Sequence, residues 1–270
     1  MSVLDQIVAH KQAELAEQRR RVPEEQLALQ TASAPAPRPF AEALRGPGLR
    51  VVAEVKAASP SAGVLREDLD PAALARAYAG GGACALSVVT DRRFFRGSSE
   101  HLQAAREATH LPVLRKDFAL ESYHVYEARA LGADAVLLIA AVLDRRRLAE
   151  LVALTEQLGM AAVVEVHTEA EVDRALEAGA RVVGINNRDL RTFQVDLGVT
   201  ERLRPRIPDP VVVVSESGIE TPAHVRRVWA AGARAVLVGS ALVRSPDPAR
   251  KLQELVGAVQ AEGGTVSWSR

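Results

Sequence analysis

Eight short apolar runs, each followed by a helical pattern, predict an α/β protein folded as a (β/α)8 TIM barrel with an N-terminal helical extension. Continuous runs of valine, isoleucine and leucine are typical of parallel strands that are covered by helices. The rival fold, an open doubly wound sheet, usually has a glycine-rich phosphate loop after its first strand, whereas here the first run leads into KAASP. The eight runs lie at 51–56, 85–89, 112–116, 135–140, 161–166, 181–185, 211–215 and 235–239.

The first 48 residues are predicted to form an extension that packs on the barrel, and the barrel domain is assigned to residues 49–270. Ser2 and Asp5 match a capping box at the start of an amphipathic helix. A proline-rich connector at 33–39 and a Gly46-Pro47-Gly48 turn then separate this helix from the first strand. Apolar residues recur at helical spacing in this helix, namely Val3, Leu4, Ile7, Val8 and Leu15.

Capping residues mark the ends of the helices between the strands. Helix starts are indicated at Asp70-Pro71, Asp144, Thr168 and Thr221-Pro222, with proline at the first helical position in two cases. Glycines that precede the apolar runs are predicted to cap helix C-termini; they are Gly82, Gly132, Gly159, Gly179 and Gly232.

The composition argues against nucleic-acid and membrane partners and predicts a cytoplasmic location. The 34 Lys and Arg balance the 34 Asp and Glu, which argues against nucleic acid because phosphate-backbone binding needs a surplus of clustered basic residues. The longest uncharged apolar run, 135–143, is far shorter than the roughly 20 residues of a spanning helix, so no membrane segment is expected. The single cysteine, Cys84, lies in an apolar run and is expected to be buried and reduced. Because the first 25 residues lack a secretory signal, a cytoplasmic location is expected.

Polar side chains interrupt the apolar strands near their carboxyl ends. Residues two apart share a face of a strand, so Glu54 and Lys56 are expected to point into the barrel, where enzymes of this fold carry out their chemistry. A single residue of this kind is more often bonded to a neighbouring loop, but two lysines and two glutamates at the same opening are costly to bury for structure alone. Such a group suits acid–base chemistry. The same alternation predicts inward-facing side chains on four further strands. They are Lys116 and Phe118 on the third, Glu165 on the fifth, Asn186 on the sixth, and Ser215 and Ser217 at the end of the seventh.

The ends of the last two strands predict a phosphate site. The seventh run ends in Ser215-Glu216-Ser217-Gly218, and the eighth ends in Val238-Gly239-Ser240 before a short helical stretch. Glycine-bearing ends at these two strands, with N–H groups at a helix start, form the usual phosphate site of this fold. The six histidines show no metal-ligand spacing, so no metal site is expected.

Six longer segments around these residues carry a family resemblance. They are EVKAASPSAG at 54–63, TDRRFFRGS at 90–98, LRKDF at 114–118, VEVH at 164–167, GINNRDL at 184–190 and SESGI at 215–219. In this order they closely resemble the indole-3-glycerol-phosphate synthase family of tryptophan biosynthesis. The resemblance implies a carbon–carbon lyase, a carboxy-lyase that closes the pyrrole ring of 1-(2-carboxyphenylamino)-1-deoxy-D-ribulose 5-phosphate to give indole-3-glycerol phosphate, CO2 and water. It implies no cofactor and no metal.

The resemblance also implies roles for individual residues. Lys116 is the leading general acid, Glu165 transfers protons in the dehydration, Lys56 contacts the anionic substrate and is the second candidate for the acid, and Glu54 positions hydroxyls and lysines. Which lysine acts in which step stays open. Further polar contacts map to Asn186, Arg188 and Ser217, the substrate and phosphate side to Ser59, Gly218, Gly239 and Ser240, and the clasp of the anthranilate ring to Phe95, Phe118 and Leu190.

Two other functions remain open from the sequence. One is a Schiff-base aldolase, or another sugar-phosphate enzyme on the same barrel, with Lys116 or Lys56 as nucleophile. The other is a catalytically silent module that binds a sugar phosphate. In each case the expected partner is a small anionic sugar phosphate, and a monomer is expected with an oligomer left open.

Overall fold

The computed structural model describes residues 2–259, in which eight parallel strands form a closed barrel. Each strand pairs with its neighbour in sequence, and the last pairs with the first, with Val51 opposite Val236. The predicted (β/α)8 barrel is therefore confirmed. The strands are β1 (Arg50–Val55), β2 (Ala85–Val89), β3 (Val113–Lys116), β4 (Ala135–Ile139), β5 (Ala161–Val166), β6 (Val182–Asn186), β7 (Val212–Glu216) and β8 (Ala235–Val238).

Helices precede the barrel and follow each of its strands. Three come before β1, namely α1 (Val3–Arg21), α2 (Glu24–Thr31) and α3 (Phe40–Ala43). The others are α4 (Pro71–Gly80), α5 (Arg92–Phe95), α6 (Ser99–Ala108), α7 (Ser122–Ala130), α8 (Arg145–Gln157), α9 (Glu169–Glu177), α10 (Gly198–Leu203), α11 (Pro222–Ala230), α12 (Ser240–Val243) and α13 (Pro248–Val256). A 3₁₀ turn follows α10, and a small antiparallel pair, Ala58–Ser59 with Gly63–Val64, follows β1. Within residues 2–259, every helix is too short or too polar to cross a lipid bilayer.

The predicted caps are confirmed at both ends of the helices. The side chains of Asp70, Asp144, Thr168 and Thr221 each accept a hydrogen bond from the backbone N–H three residues on. The five predicted glycines have φ between 77° and 96°, a conformation that costs glycine least because it lacks a Cβ. Ser2 and Asp5 form the predicted capping box.

Two apolar clusters separate the inside of the barrel from its helical layer. Val51, Ala53 and Val55 pack against the helices, while Val52 belongs to the inner cluster, as the parity of β1 predicts. Cys84 is buried in that inner cluster, and burial raises the pKa of its thiol to about 11, so the prediction of a buried thiol is confirmed.

The segment before β1 contacts both ends of the barrel. Phe40 and Leu44 join the inner cluster beside residues at the starts of the strands and so close the amino end. At the other end, Val3, Leu4 and Ile7 of α1 line the cavity at the strand ends. Residues 260–270 of the predicted barrel domain lie outside the described part of the chain.

Candidate active site

Glu54 and Lys56 form an ion pair at the carboxyl end of β1. The Glu54 side chain is only 3 % exposed. The hydroxyl of Tyr78 on α4 donates to the backbone carbonyl of Glu54 at 3.1 Å and fixes this end of β1 to the helical layer. On the neighbouring β8 end, a Cβ at Gly239 would collide with the Glu54 carboxylate. Glycine at 239 therefore leaves room for the Glu54 carboxylate in its present position.

Lys116, at the end of β3, lies between two carboxylates. Its Nζ is 3.1 Å from Glu165 Oε2 on β5 and 2.8 Å from Glu216 Oε2 on β7. Asn186 Nδ2 donates to the other Glu165 oxygen at 3.1 Å and holds that carboxylate in place. Burial disfavours the ammonium, but Glu216, Glu165 and Glu54 outweigh it and raise the pKa of Lys116. Lys116 is therefore held protonated and within reach of a ligand in the cavity.

Glu216 is a buried carboxyl that titrates near neutrality. Burial raises its pKa to about 7, assisted by Glu165 and Glu54 and opposed by Lys116. Among the described residues, its Oε1 atom has no hydrogen-bond partner. A Cβ at Gly184 would collide with this carboxylate, so glycine makes room for it on β6. A carboxyl with these properties can take up or release a proton at physiological pH.

The prediction that Ser215 faces the cavity is wrong. Ser215 is fully buried between β7 and α10, where its hydroxyl lies 2.7 Å from Thr200 Oγ1 and accepts from Asn187 Nδ2 at 2.9 Å. Its neighbour Glu216 takes the inward position that the sequence analysis missed. Valines fill both faces of residues 211–214, so alternation gave no parity, and the charge of Glu216 just after the run was the available signal.

Ser217 reaches the cavity through a turn and not through strand parity. Its φ is 67°, which is uncommon for a residue with a side chain. The buried Asn187 side chain supports this turn, because its Nδ2 donates to the carbonyls of Glu216 at 2.9 Å and Ser217 at 3.1 Å. Thr200 donates to Asn187 Oδ1 and so fixes the amide. Asn187 therefore supports the cavity wall from behind Ser217, a role that its sequence context did not predict.

The lining of the cavity contains apolar, charged and small polar groups. The rings of Phe95 and Phe118 are 6.3 Å apart at 38°, and Leu190 lines the same cavity. The glycine turns that follow β7 and β8, formed by Gly218, Gly239 and Ser240, also line it, as does Ser59. This lining suits a ligand that carries both an aromatic ring and a phosphate.

Comparison with known proteins identifies the family of the chain. The family model described as indole-3-glycerol phosphate synthase matches residues 4–255. The chain belongs to the indole-3-glycerol phosphate synthase family. It is 50% identical over 265 residues to the indole-3-glycerol phosphate synthase of Roseiflexus sp. (strain RS-1), covering 95% of this chain and 98% of that one. It is 51% identical over 255 residues to indole-3-glycerol phosphate synthase 2 of Streptomyces coelicolor, covering 94% and 99% of the two chains.

Solved structures of other enzymes share the barrel. Thiamine phosphate pyrophosphorylase from Pyrococcus furiosus superposes with a TM-score of 0.60 at 19% identity, over 80% of this chain and 97% of that one. N-acetylmannosamine-6-phosphate 2-epimerase from Clostridium perfringens gives 0.60 at 19%, over 77% and 92%. At these identities the likeness shows the fold alone.

In this member of the indole-3-glycerol phosphate synthase family, the predicted site residues come together. All fourteen line the same cavity, although their roles stay predictions: Glu54, Lys56, Ser59, Phe95, Lys116, Phe118, Glu165, Asn186, Arg188, Leu190, Ser217, Gly218, Gly239 and Ser240. Arg188 is tied to its own loop, since its guanidinium donates to the carbonyl of Phe193 at 3.0 Å. In residues 2–259, the His, Cys, Asp and Glu side chains form no group of three that could hold a metal ion.

Proposed function

We propose that this protein catalyses the indole-3-glycerol phosphate synthase reaction, closing the pyrrole ring of 1-(2-carboxyphenylamino)-1-deoxy-D-ribulose 5-phosphate with loss of CO2 and water. The observation that carries the proposal is the protonated Lys116 between Glu165 and Glu216, in a cavity lined by an aromatic pair and by the glycine turns after β7 and β8. Membership of the family supports the same reaction.

In the first step, the ring carbon that bears the carboxylate attacks the ketone carbon of the ribulose chain. A carbon–carbon bond forms and the carbonyl oxygen becomes a hydroxyl, so an acid must deliver a proton to that oxygen. Lys116 is the leading candidate because the neighbouring carboxylates keep it charged. Loss of CO2 then returns the bonding electrons to the ring and restores its aromaticity.

The second half of the reaction is a dehydration. A base removes a proton from the methylene carbon beside the nitrogen, and the new hydroxyl leaves as water after it is protonated. We assign proton transfer to Glu165, which Asn186 orients, and we add Glu216 as a second carboxyl in reach of Lys116. Lys56, paired with Glu54, is assigned to the anionic substrate.

Binding is divided between two groups of residues in the cavity. We assign the substrate phosphate to Ser59, Gly218, Gly239 and Ser240 and the anthranilate ring to Phe95, Phe118 and Leu190. Arg188 and Ser217 are assigned to polar contacts between them, with Ser217 and Asn186 counted among the groups close to the reacting atoms. These contacts hold both ends of the substrate and bring its reacting carbons together.

A Schiff-base aldolase is the second candidate, and the charge on Lys116 argues against it. A lysine nucleophile must be neutral to attack a carbonyl, whereas the surrounding carboxylates favour the ammonium form. Borohydride added during turnover would trap a Schiff base as a covalent adduct. We expect the protein mass to stay unchanged under these conditions.

The direct test is turnover of the synthetic substrate by the purified protein, followed by indole fluorescence. We expect product fluorescence without any added cofactor, together with one CO2 released per product. A folded protein that binds the substrate but yields no indole fluorescence would contradict the proposal and favour a binding module.

A further inference from the structure

Lys11 of α1 is a buried cation that the reaction itself does not use. Its side chain is 6 % exposed, and its Nζ lies 2.9 Å from Asp117 Oδ1, 3.2 Å from Asp91 Oδ2 and 2.8 Å from Glu14 Oε2. Asp91 follows β2 and Asp117 follows β3, so a single side chain of the amino-terminal helix joins the loops of two neighbouring strands. Burial disfavours the charge on Lys11, but Asp117 and Asp91 raise its pKa and keep it cationic.

The loop of Asp91 carries the first ring of the aromatic clasp, which consists of Phe95 and Phe118. Asp91 is the N-cap of α5, since its Oδ1 accepts from the Phe94 N–H at 2.7 Å, and its carbonyl accepts from the Gly97 N–H at 2.7 Å. These bonds fix both ends of the short helix that ends at Phe95. The other carboxylate oxygen of Asp91 is the one that faces Lys11.

The loop of Asp117 carries the second ring. Asp117 Oδ1 accepts from the Phe118 N–H at 2.8 Å and also faces Lys11, while its Oδ2 accepts from the Thr90 hydroxyl. Although burial favours a neutral carboxyl, Lys11 and Arg115 lower the pKa of Asp117 to about 2. Asp117 is therefore anionic at neutral pH, and its carboxylate is hydrogen-bonded to the backbone N–H of Phe118.

We propose that Lys11 is a positioning residue that sets the spacing of the Phe95 and Phe118 rings and so the grip on the aromatic part of the substrate. The inference rests on the proposed function for the identity of that ring. Two of the three carboxylates that Lys11 contacts, Asp91 and Asp117, each hold the backbone beside one of the two phenylalanines. Without the cation, two buried carboxylates would face each other and separate the two loops. Gly218, Gly239 and Ser240, which we assign to the phosphate, follow β7 and β8, whereas the two aspartates that Lys11 contacts follow β2 and β3.

Two non-reacting probes test this by measuring binding alone. One is 1-(2-carboxyphenylamino)-1-deoxyribitol 5-phosphate, which is the substrate reduced at its ketone, and the other is D-ribulose 5-phosphate, which lacks the ring. We expect Lys11→Met to weaken the first by about tenfold and the second by less than about twofold. Lys11→Arg restores the charge and should recover most of the difference. In turnover, Lys11→Met should raise KM with kcat within about twofold.

Arg19→Met is the matched control on the same helix. Arg19 also pairs with carboxylates, Glu24 at 2.8 Å and Glu121 at 2.7 Å, but Glu121 lies at the start of α7, and Arg19 pairs with neither Asp91 nor Asp117. We expect this variant to leave the ratio of the two affinities unchanged. Equal weakening of both probes by Lys11→Met, or no weakening, would overturn the proposal and leave Lys11 a purely structural contact.

A second variant decides the question if Lys11→Met does not fold. Asp91→Asn keeps an oxygen that can cap α5 but removes the charge that faces Lys11. It should weaken the aromatic probe by about threefold and spare D-ribulose 5-phosphate; equal effects on both would overturn the proposal. The proposed function is judged separately by the wild-type protein, because absence of turnover there leaves the two binding affinities measurable.

Discussion

Lys116 Nζ lies 2.8 Å from Glu216 Oε2, and this contact joins the ends of two strands that are 100 residues apart in the chain. Glu216 and Glu165 together keep the Lys116 ammonium charged although burial disfavours it. The contact therefore ties the proton-donating group of the proposed reaction to a carboxyl whose own pKa lies near 7.

Removal of the Lys116 ammonium should abolish most of the activity. We expect Lys116→Ala to lower turnover by roughly two to four decades if protonation of the ketone oxygen limits the rate. The measurement is kcat from indole fluorescence at saturating substrate. Lys251→Ala is the control, since Lys251 pairs with Glu254 on the exposed side of α13 and should leave kcat unchanged. Equal rates for wild type and Lys116→Ala would remove Lys116 from the mechanism.

Glu216 should control the acid limb of the pH profile. Above about pH 7 it is anionic and supports the charge on Lys116, whereas below that pH it is neutral, so kcat/KM should fall as the pH drops through about 7. In Glu216→Gln the group no longer titrates. We expect a variant with lower activity whose kcat/KM does not show that limb. An unchanged limb in Glu216→Gln would assign it to the substrate phosphate or to another residue.

The missing side chain at Gly239 should matter more for activity than for folding. An alanine Cβ there would displace the Glu54 carboxylate from its pair with Lys56, and we expect Gly239→Ala to lower kcat/KM by about a hundredfold. Gly80→Ala is the control, because a Cβ at Gly80 meets no atom within 4 Å. That substitution in α4 should leave activity unchanged and stabilise the protein by about 0.5–1 kcal/mol. Full activity of Gly239→Ala would show that Glu54 can move without loss.

The barrel could be predicted from the sequence because the apolar runs alternate with helical segments whose ends carry capping residues or glycines. The sequence was also sufficient for the inward side chains of β1, where the charges of Glu54 and Lys56 distinguish the two faces. On β7 valines occupy both faces, so the inward position of Glu216 depends on the register of the closed barrel. The left-handed turn at Ser217 was not predictable either, because it depends on Asn187 from the preceding strand end.

The burial of Lys11 in the amino-terminal helix could not be predicted from the sequence either. In sequence it is one lysine among the polar residues of an amphipathic helix, and such lysines are usually exposed. Its burial depends on carboxylates about 80 and 106 positions further along the chain, which the barrel brings together only after it closes. Helical periodicity therefore predicts α1 but not the side chain that connects it to the site.

Asp117 should make the stability of the protein depend on pH in the acid range. Its pKa is lowered from 3.8 to about 2 in the folded state, so its contribution is present above about pH 4 and is lost as the pH falls towards 2. The shift corresponds to about 2 kcal/mol, since one pKa unit is worth about 1.4 kcal/mol. Urea unfolding of wild type and Asp117→Asn between pH 4 and pH 2 measures it. Because the unfolded wild-type chain takes up about one more proton than the folded one in this range, its free energy of unfolding should fall more steeply than that of Asp117→Asn. Parallel curves for the two proteins would show that Lys11 and Arg115 do not hold Asp117 ionised.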